Sequence, residues 1–343
     1  MPNRKTKDTQ IFEQIRAAVA KADPRPDAQN AALVKRFQVL QEVPSLSRFG
    51  RKSSERAEEV VNVLKDGLPL HPGIDRTTLD ELGEILPAAA DVVEFLRMEW
   101  EFATALSSPF QLPNILLVGV SGGGKTHFAK QIQKLFCDRE IVFAAAGVSS
   151  AVDVNGQPPG FDSADVGLAV RAMVDAKSAN PVIIFDEIDK LGDSNYNGHT
   201  EQALLPLLER ASAESYRDPF LGVPVNVSKV SYIFTANDMA GLSVPFLSRV
   251  RKFTIQGPRV EDLDMLVQSL RTSLISEYEI PESSVPQADD LLERQMINAI
   301  RRGASVRQLK TIYRNAMKRR LVEQAARRHD PNQAMDAPNV RSI

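Results

Sequence analysis

The sequence holds one cysteine, Cys137, and one tryptophan among 343 residues. A single thiol excludes any disulfide within one chain. With only four scattered histidines it also excludes a cysteine-built metal cluster. No apolar run approaches the ~20 residues that a membrane-spanning helix needs. The polar, basic start from Met1 to Lys7 leads into no apolar stretch, so no secretory signal is expected and the expected location is cytoplasmic. Repeats with a fixed period of about 20–50 residues are absent as well, which removes solenoids and propellers. What remains is an ordinary globular balance, 43% hydrophobic and 25% charged. At more than twice the ~150 residues of a typical domain, the length predicts two or three domains.

The net charge of −2 hides an asymmetry. Residues 1–75 carry 13 Lys and Arg against 10 Asp and Glu, residues 76–300 carry 18 against 31, and residues 301–343 carry 11 against 3. A basic carboxy-terminal segment suits phosphates or an acidic neighbour, and equally a solvated helix face.

Periodicity divides the chain. Ile11, Ile15, Ala18 and Val19, then Leu33, Phe37 and Leu40, recur at helical spacing, interrupted at Asp23–Pro26 and closed at Leu68–Gly73. Residues 1–75 are therefore expected to form a helical amino-terminal unit that selects a partner or client. A helix is predicted from Thr77 to about Leu106, bent or split at Pro87. Short apolar runs follow at Ile115–Val118, Ile141–Ala144, Val182–Phe185, Val230–Thr235 and Phe253–Ile255, separated by helical stretches. Strands alternating with helices imply an α/β domain over 76–258: a five-stranded parallel sheet with helices on both faces. From Val260 the strand signal ends. Leu263, Leu266, Val267 and Leu270, then Val306, Leu309, Ile312, Tyr313, Ala316 and Met317, predict a small helical domain over 259–330, with 331–343 as a tail.

The strongest local signal is Gly119-Val120-Ser121-Gly122-Gly123-Gly124-Lys125-Thr126. It fits G-x-x-x-x-G-K-[ST] and lies between a strand and a helix, as a phosphate loop must. Three successive glycines let backbone N–H groups turn inward around a polyphosphate. The helix that follows adds its positive end, with His127 next in line on it. Lys125 suits the β- and γ-phosphates of ATP, and the Thr126 hydroxyl suits Mg²⁺. The strand Val182–Phe185 ends in Asp186 and Glu187. Two charges after four buried apolar residues make sense at the carboxyl edge of a parallel sheet. There Asp186 would hold Mg²⁺ through water and Glu187 would act as general base. Val230–Thr235 leads into Ala236-Asn237-Asp238, and the Asn237 amide can hydrogen-bond either the attacking water or the γ-phosphate; an Asn-Asp turn is the plainer alternative.

Together these segments resemble the AAA+ ATPase superfamily, and in particular the ATPase module of the Lon proteases, over roughly Leu79 to Arg327. Asn180–Lys190 looks like the Lon Walker B segment. The stretch from Asp218 through Phe220, Val223-Pro224 and Ser228–Val230 to Phe234–Asp238 is similar to the Lon segment entering sensor 1. Val244–Val250 resembles the segment that carries an arginine finger, and Gly303–Leu309 resembles sensor 2. The resemblance implies Arg249 as a finger acting on the neighbouring subunit's γ-phosphate, with Arg251 as fallback and a salt bridge as the alternative. It implies Arg307 as the lid arginine acting in its own subunit. A guanidinium that stays charged suits a transferring phosphoryl group. ATP and Mg²⁺, a homo-oligomeric ring of about six subunits and a protein client are implied in the same way.

Two departures qualify the resemblance. Lon chains continue into a Ser–Lys peptidase, and the some fifteen residues after the lid cannot hold one, so an ATPase without its own peptidase is expected. The position of the Lon pore aromatic falls on Phe161, but Asp162 stands where an apolar neighbour is expected. The favoured function is therefore an ATP-driven remodeller or unfoldase of proteins. A nucleic-acid-associated ATPase is the alternative, motivated by the basic carboxy-terminal segment and by Arg48, Arg51, Lys52 and Arg56. A nucleotide-gated scaffold is disfavoured because every hydrolytic position is filled. No membrane role is expected.

Overall fold

The computed structural model describes residues 36–71, 74, 76–85, 89–136, 139–145, 150–191, 193–194 and 198–328. The predicted helices before residue 36, Pro87, Cys137 and the 331–343 tail lie outside them. Among the described residues no helix is long and apolar enough to cross a membrane.

The described residues fall into two compact units. Of these, the first draws on residues within 36–83, 89–119 and 125–255, the second on residues within 84–85, 120–124 and 256–328. The first is built on a sheet of five parallel strands: β1 (Ile115–Val118), β2 (Val142–Ala144), β3 (Val182–Asp186), β4 (Ser231–Ala236) and β5 (Arg251–Thr254). Their spatial order is β5-β1-β4-β3-β2. The three central strands read as unbroken apolar runs because they are covered on both faces, and β4 is buried along its whole length. Registers Leu117↔Thr235 and Phe234↔Phe185 bring the carboxyl ends of β1, β4 and β3 level. Whatever follows those strands therefore emerges at one edge.

Helix α1 (Arg51–Leu64) is followed by α2 (Arg76–Ile85) and α3 (Ala90–Ala105), so the helix expected over 77–106 is two helices. Helix α4 (Lys125–Lys134) leaves the phosphate loop and buries Phe128, Ala129 and Ile132, an i, i+1, i+4 face. Helices α5 (Leu168–Ala176) and α6 (Thr200–Leu208) complete the cover.

The described part of the amino-terminal segment corrects the helical reading at Phe37 and Leu40. Phe37 and Leu40 are extended and bridge Leu68 and Val225. Asn226 donates its N–H to the Val39 carbonyl at 2.7 Å. Val39, Leu40, Ala57, Val60 and Leu64 lie in the same buried cluster as Phe185 and Phe234. Three apolar residues at 3–4 spacing do not distinguish a helix from a strand, and here backbone partners on Leu68 and Val225 satisfy the extended form.

Asp218 lies at the base of this packing, fully buried. Its two carboxylate oxygens accept the N–H groups of Leu221 at 2.9 Å and Gly167 at 2.8 Å. Burial pushes its carboxyl up to about 6, against the pull of the Leu221, Gly167 and Phe220 backbone donors and aided by the nearby Asp165 charge. Because the folded value exceeds the ordinary 3.8, the folded chain keeps a proton that the unfolded chain releases. This contribution is therefore present at low pH and declines as pH rises towards about 6, a change of about 3 kcal/mol. Asp218→Asn abolishes that slope. The melting-temperature gap between parent and variant is expected to move several degrees in the variant's favour between pH 4 and 7; a gap constant with pH contradicts it.

The second unit contains α7 (Leu263–Tyr278), α8 (Asp290–Arg301) and α9 (Val306–Arg328). Leu270, Leu274, Leu292, Met296, Leu309, Tyr313 and Met317 form its core. The Asp289 carboxylate caps α8 by accepting the Leu292 N–H at 2.9 Å. No strand interrupts it among its described residues, as the sequence pattern predicts.

Candidate nucleotide site

The level carboxyl ends of β1, β4 and β3 deliver Gly119, Asn237 and Asp186. Strand β4 lies between the other two, so Asn237 follows the strand flanked by those that end at Gly119 and Asp186. Gly119 has no substitute: an added Cβ would lie 2.2 Å from the Ile255 carbonyl oxygen. Gly122 and Gly124 take φ of +74° and +95°, backbone that side chains resist and that turns N–H groups inward. Ser121 is exposed, Gly123 buried, and Val120 58% exposed. His127 is exposed, with Nε2 3.5 Å from the Gln131 amide.

Lys125 is 6% exposed. Its ammonium donates to the Gly119 carbonyl at 2.7 Å and to Asn237 Oδ1 at 3.2 Å. Burial lowers its pKa, and the charges of Asp189, Asp186 and Glu187 oppose that. The Thr126 hydroxyl donates to Asp186 Oδ1 at 2.6 Å. Glu187 has φ +57° and ψ +51°, a left-handed conformation that a non-glycine residue holds only when its surroundings enforce it. Part of the enforcement is visible. Thr235 donates to Asp186 Oδ1 at 2.6 Å and accepts the Glu187 N–H at 2.9 Å. Thr235 thus ties both acidic residues to β4, and nothing in the sequence set this hydroxyl apart from its apolar run. Asp189 was also missed. Its side chain is 4% exposed, and its Oδ2 lies 3.5 Å from Asn237 Nδ2.

The donor set fits MgATP. Among the described residues no group of three or more His, Cys, Asp or Glu is arranged around a metal. Mg²⁺ on a nucleotide needs no such cage, since it keeps waters and takes one or two protein oxygens besides phosphate. Thr126 and Asp186 supply two hard oxygens in contact. The side-chain-free stretch Gly122–Gly124 and the Lys125 ammonium suit a polyphosphate. Lys125→Ala is expected to remove binding of a fluorescent ATP analogue; affinity within threefold of the parent would contradict this.

The arginines divide. Arg249 is held inside its own chain. One guanidinium nitrogen pairs with Glu209 at 2.9 Å, another donates to the Pro245 carbonyl at 2.9 Å, and Nε is buried with no partner among the described residues. The fully buried Phe246, edge-on to Phe234 at 4.9 Å, anchors the turn carrying it. Arg251 lies over the Phe95 ring at 5.2 Å. In the second unit the Arg307 N–H donates to the Gly122 carbonyl at 3.3 Å, and its exposed guanidinium pairs with no described residue. Phe161 is 58% exposed at the tip of a hairpin in which Gly156-Gln157 pairs with Asp165-Val166.

The AAA family (ATPase family associated with various cellular activities) matches residues 115–257. Lon protease 1 of Bacillus subtilis (strain 168) is 28% identical over 295 residues, covering 82% of this chain and 38% of that protein. The Lon protease of Clostridioides difficile (strain 630) is 28% identical over 213 residues, 62% of this chain and 27% of that one. Lon protease homolog 2, peroxisomal, of Eremothecium gossypii is 33% identical over 159 residues, 44% and 16% of the respective chains. This chain thus spans well under half the length of these relatives. Among solved structures, a closed-state reconstruction of Hsp104 with ATPγS and FITC casein matches with TM-score 0.56 and 14% identity, over 80% of this chain and 52% of that one. That likeness is one of fold.

Proposed function

We propose, from the premise that residues 115–257 are an AAA-family ATPase domain, that the chain hydrolyses MgATP in a ring of like subunits and remodels a protein client. The observation that carries the chemistry is the contact of Thr126 with Asp186 beside the buried Lys125. The loop backbone and Lys125 bind the β- and γ-phosphates. Thr126 and Asp186 would hold Mg²⁺, which would supply positive charge against the phosphate oxygens. Glu187 takes the proton of a water whose oxygen attacks the γ-phosphorus. The bond from phosphorus to the bridging oxygen breaks, and ADP leaves with the electron pair. Arg307 in the same subunit and Arg249 from a neighbour stabilise the charge on the transferring phosphoryl.

Several cations that motivated a nucleic-acid reading are already engaged. Arg48 donates to the Leu221 carbonyl, and Arg56 pairs with Asp165 and Glu59. Arg314 and Lys310 pair with Glu277, and Arg320 with Asp289. A protein client is favoured, and the Hsp104 structure of similar fold is one with casein. An exposed Phe161 can grip passing side chains by apolar contact of any sequence. The test measures ATP turnover with unfolded casein and, separately, with single-stranded DNA at two salt concentrations. Stimulation by casein is expected, and Phe161→Ala should keep basal turnover within about twofold while losing the stimulation. Salt-sensitive stimulation by DNA alone would overturn the choice of client.

A further inference from the structure

The chemistry of Asn237 depends on which end of its amide faces the reacting water. An amide is nearly symmetric in shape, so its neighbours decide. On one side lies the Lys125 ammonium, which only donates, 3.2 Å from Oδ1. On the other lies Asp189, which as a carboxylate only accepts, with Oδ2 3.5 Å from Nδ2. Turning the amide over would set N–H against ammonium and carbonyl against carboxylate, so this pair of charges permits one orientation. Asp189 is well placed to enforce it. Its side chain is 4% exposed, and Oδ1 has no hydrogen-bond partner among the described residues. A buried carboxylate oxygen left unpaired is costly, and structural residues rarely keep one. Lys190, its own neighbour, lies 3.5 Å from the carboxylate, and the Asp189 charge also acts on the Lys125 ammonium.

We propose that Asp189 is a positioning residue that turns Asn237 so that Oδ1, and not the amide N–H, meets the attacking water. This rests on the hydrolytic reading above and deepens it. Before nucleotide arrives, Oδ1 is occupied by Lys125. A polyphosphate in the loop draws the ammonium to itself and frees Oδ1. The amide oxygen then accepts one O–H of the water while Glu187 takes the proton from the other. Asp189 keeps Nδ2 throughout, so Asn237 is already aligned when the site fills. Asn237 serves the nucleophile, not the γ-phosphate.

The test uses the full chain, MgATP turnover and binding of a fluorescent ATP analogue. Asp189→Asn keeps the shape but can face Asn237 with either a donor or an acceptor, so the orientation is no longer enforced. The expected result is a fall in kcat of roughly tenfold or more, with nucleotide affinity within about threefold. In an Asn237→Ala background the same substitution should cost nothing further, which a merely structural role would not produce. The double exchange Asp189→Asn with Asn237→Asp pairs a donor with an acceptor again, now with position 189 donating, at unchanged net charge. It should recover most of the kcat lost in Asp189→Asn. Unchanged kcat in Asp189→Asn beside normal parent turnover would overturn the proposal and leave the ATPase reading standing. So would a full further loss in the Asn237→Ala background, or a double exchange as slow as the single variant. Parent protein that binds the analogue and turns over no ATP would overturn the hydrolytic reading, and this proposal with it.

Discussion

Glu187→Gln is expected to bind MgATP as tightly as the parent and to hydrolyse it at least a hundredfold more slowly. The substitution keeps volume and leaves the Thr126–Asp186 contact intact, and it removes only the carboxylate proposed to take the water's proton. Loss of a general base typically costs roughly 10²–10⁴ in rate. Binding should survive because the proposed phosphate contacts are Lys125 and the loop backbone, whereas Glu187 emerges from β3 with no described side-chain partner of its own. Its left-handed backbone, φ +57°, is tied through its N–H to Thr235, and glutamine can occupy the same conformation. Single-turnover hydrolysis beside analogue binding separates the two quantities. Full turnover in the variant would remove Glu187 from the chemistry.

Arg249→Ala is expected to bind nucleotide normally and to hydrolyse it poorly, and the lost activity should be recoverable by mixing. In its own subunit Arg249 is committed to Glu209 and the Pro245 carbonyl. That pairing does not preclude a role in trans. The Glu209 partner is half exposed, and exposed ion pairs contribute only about 0–1 kcal/mol, so a neighbour's triphosphate can outbid it. Mixed with Lys125→Ala subunits, Arg249→Ala subunits retain intact phosphate loops and meet intact fingers at some interfaces. Turnover should therefore rise above the sum of the two inactive preparations. No recovery in mixtures that demonstrably co-assemble would return Arg249 to the salt-bridge role.

Much of this could be read from the sequence, for identifiable reasons. The central parallel strands were legible because burial on both faces leaves an unbroken apolar signature, as in Val182–Phe185. Strand β5 gave a weaker signal because it is a sheet edge whose Arg251, Lys252 and Thr254 are exposed. Phosphate-loop chemistry concentrates in eight consecutive residues, so it needs no tertiary information. Thr235 and Asp189 were invisible because their importance is relational. One is a hydroxyl on β4 that hydrogen-bonds Asp186 at the end of β3, the other a carboxylate buried beside Asn237. The extended path of Phe37 to Leu40 was missed because its backbone partners, Leu68 and Val225, are remote in sequence.

The central claim, a hydrolytic site completed by a neighbouring subunit, is tested most directly by specific ATPase activity measured against chain concentration. Sedimentation should follow the assembly state across the same range. The expected result is activity per chain that rises steeply where the assembly forms and then levels off, with Arg249→Ala low throughout. Turnover per chain that is independent of concentration, in particles that sediment as monomers, would contradict it.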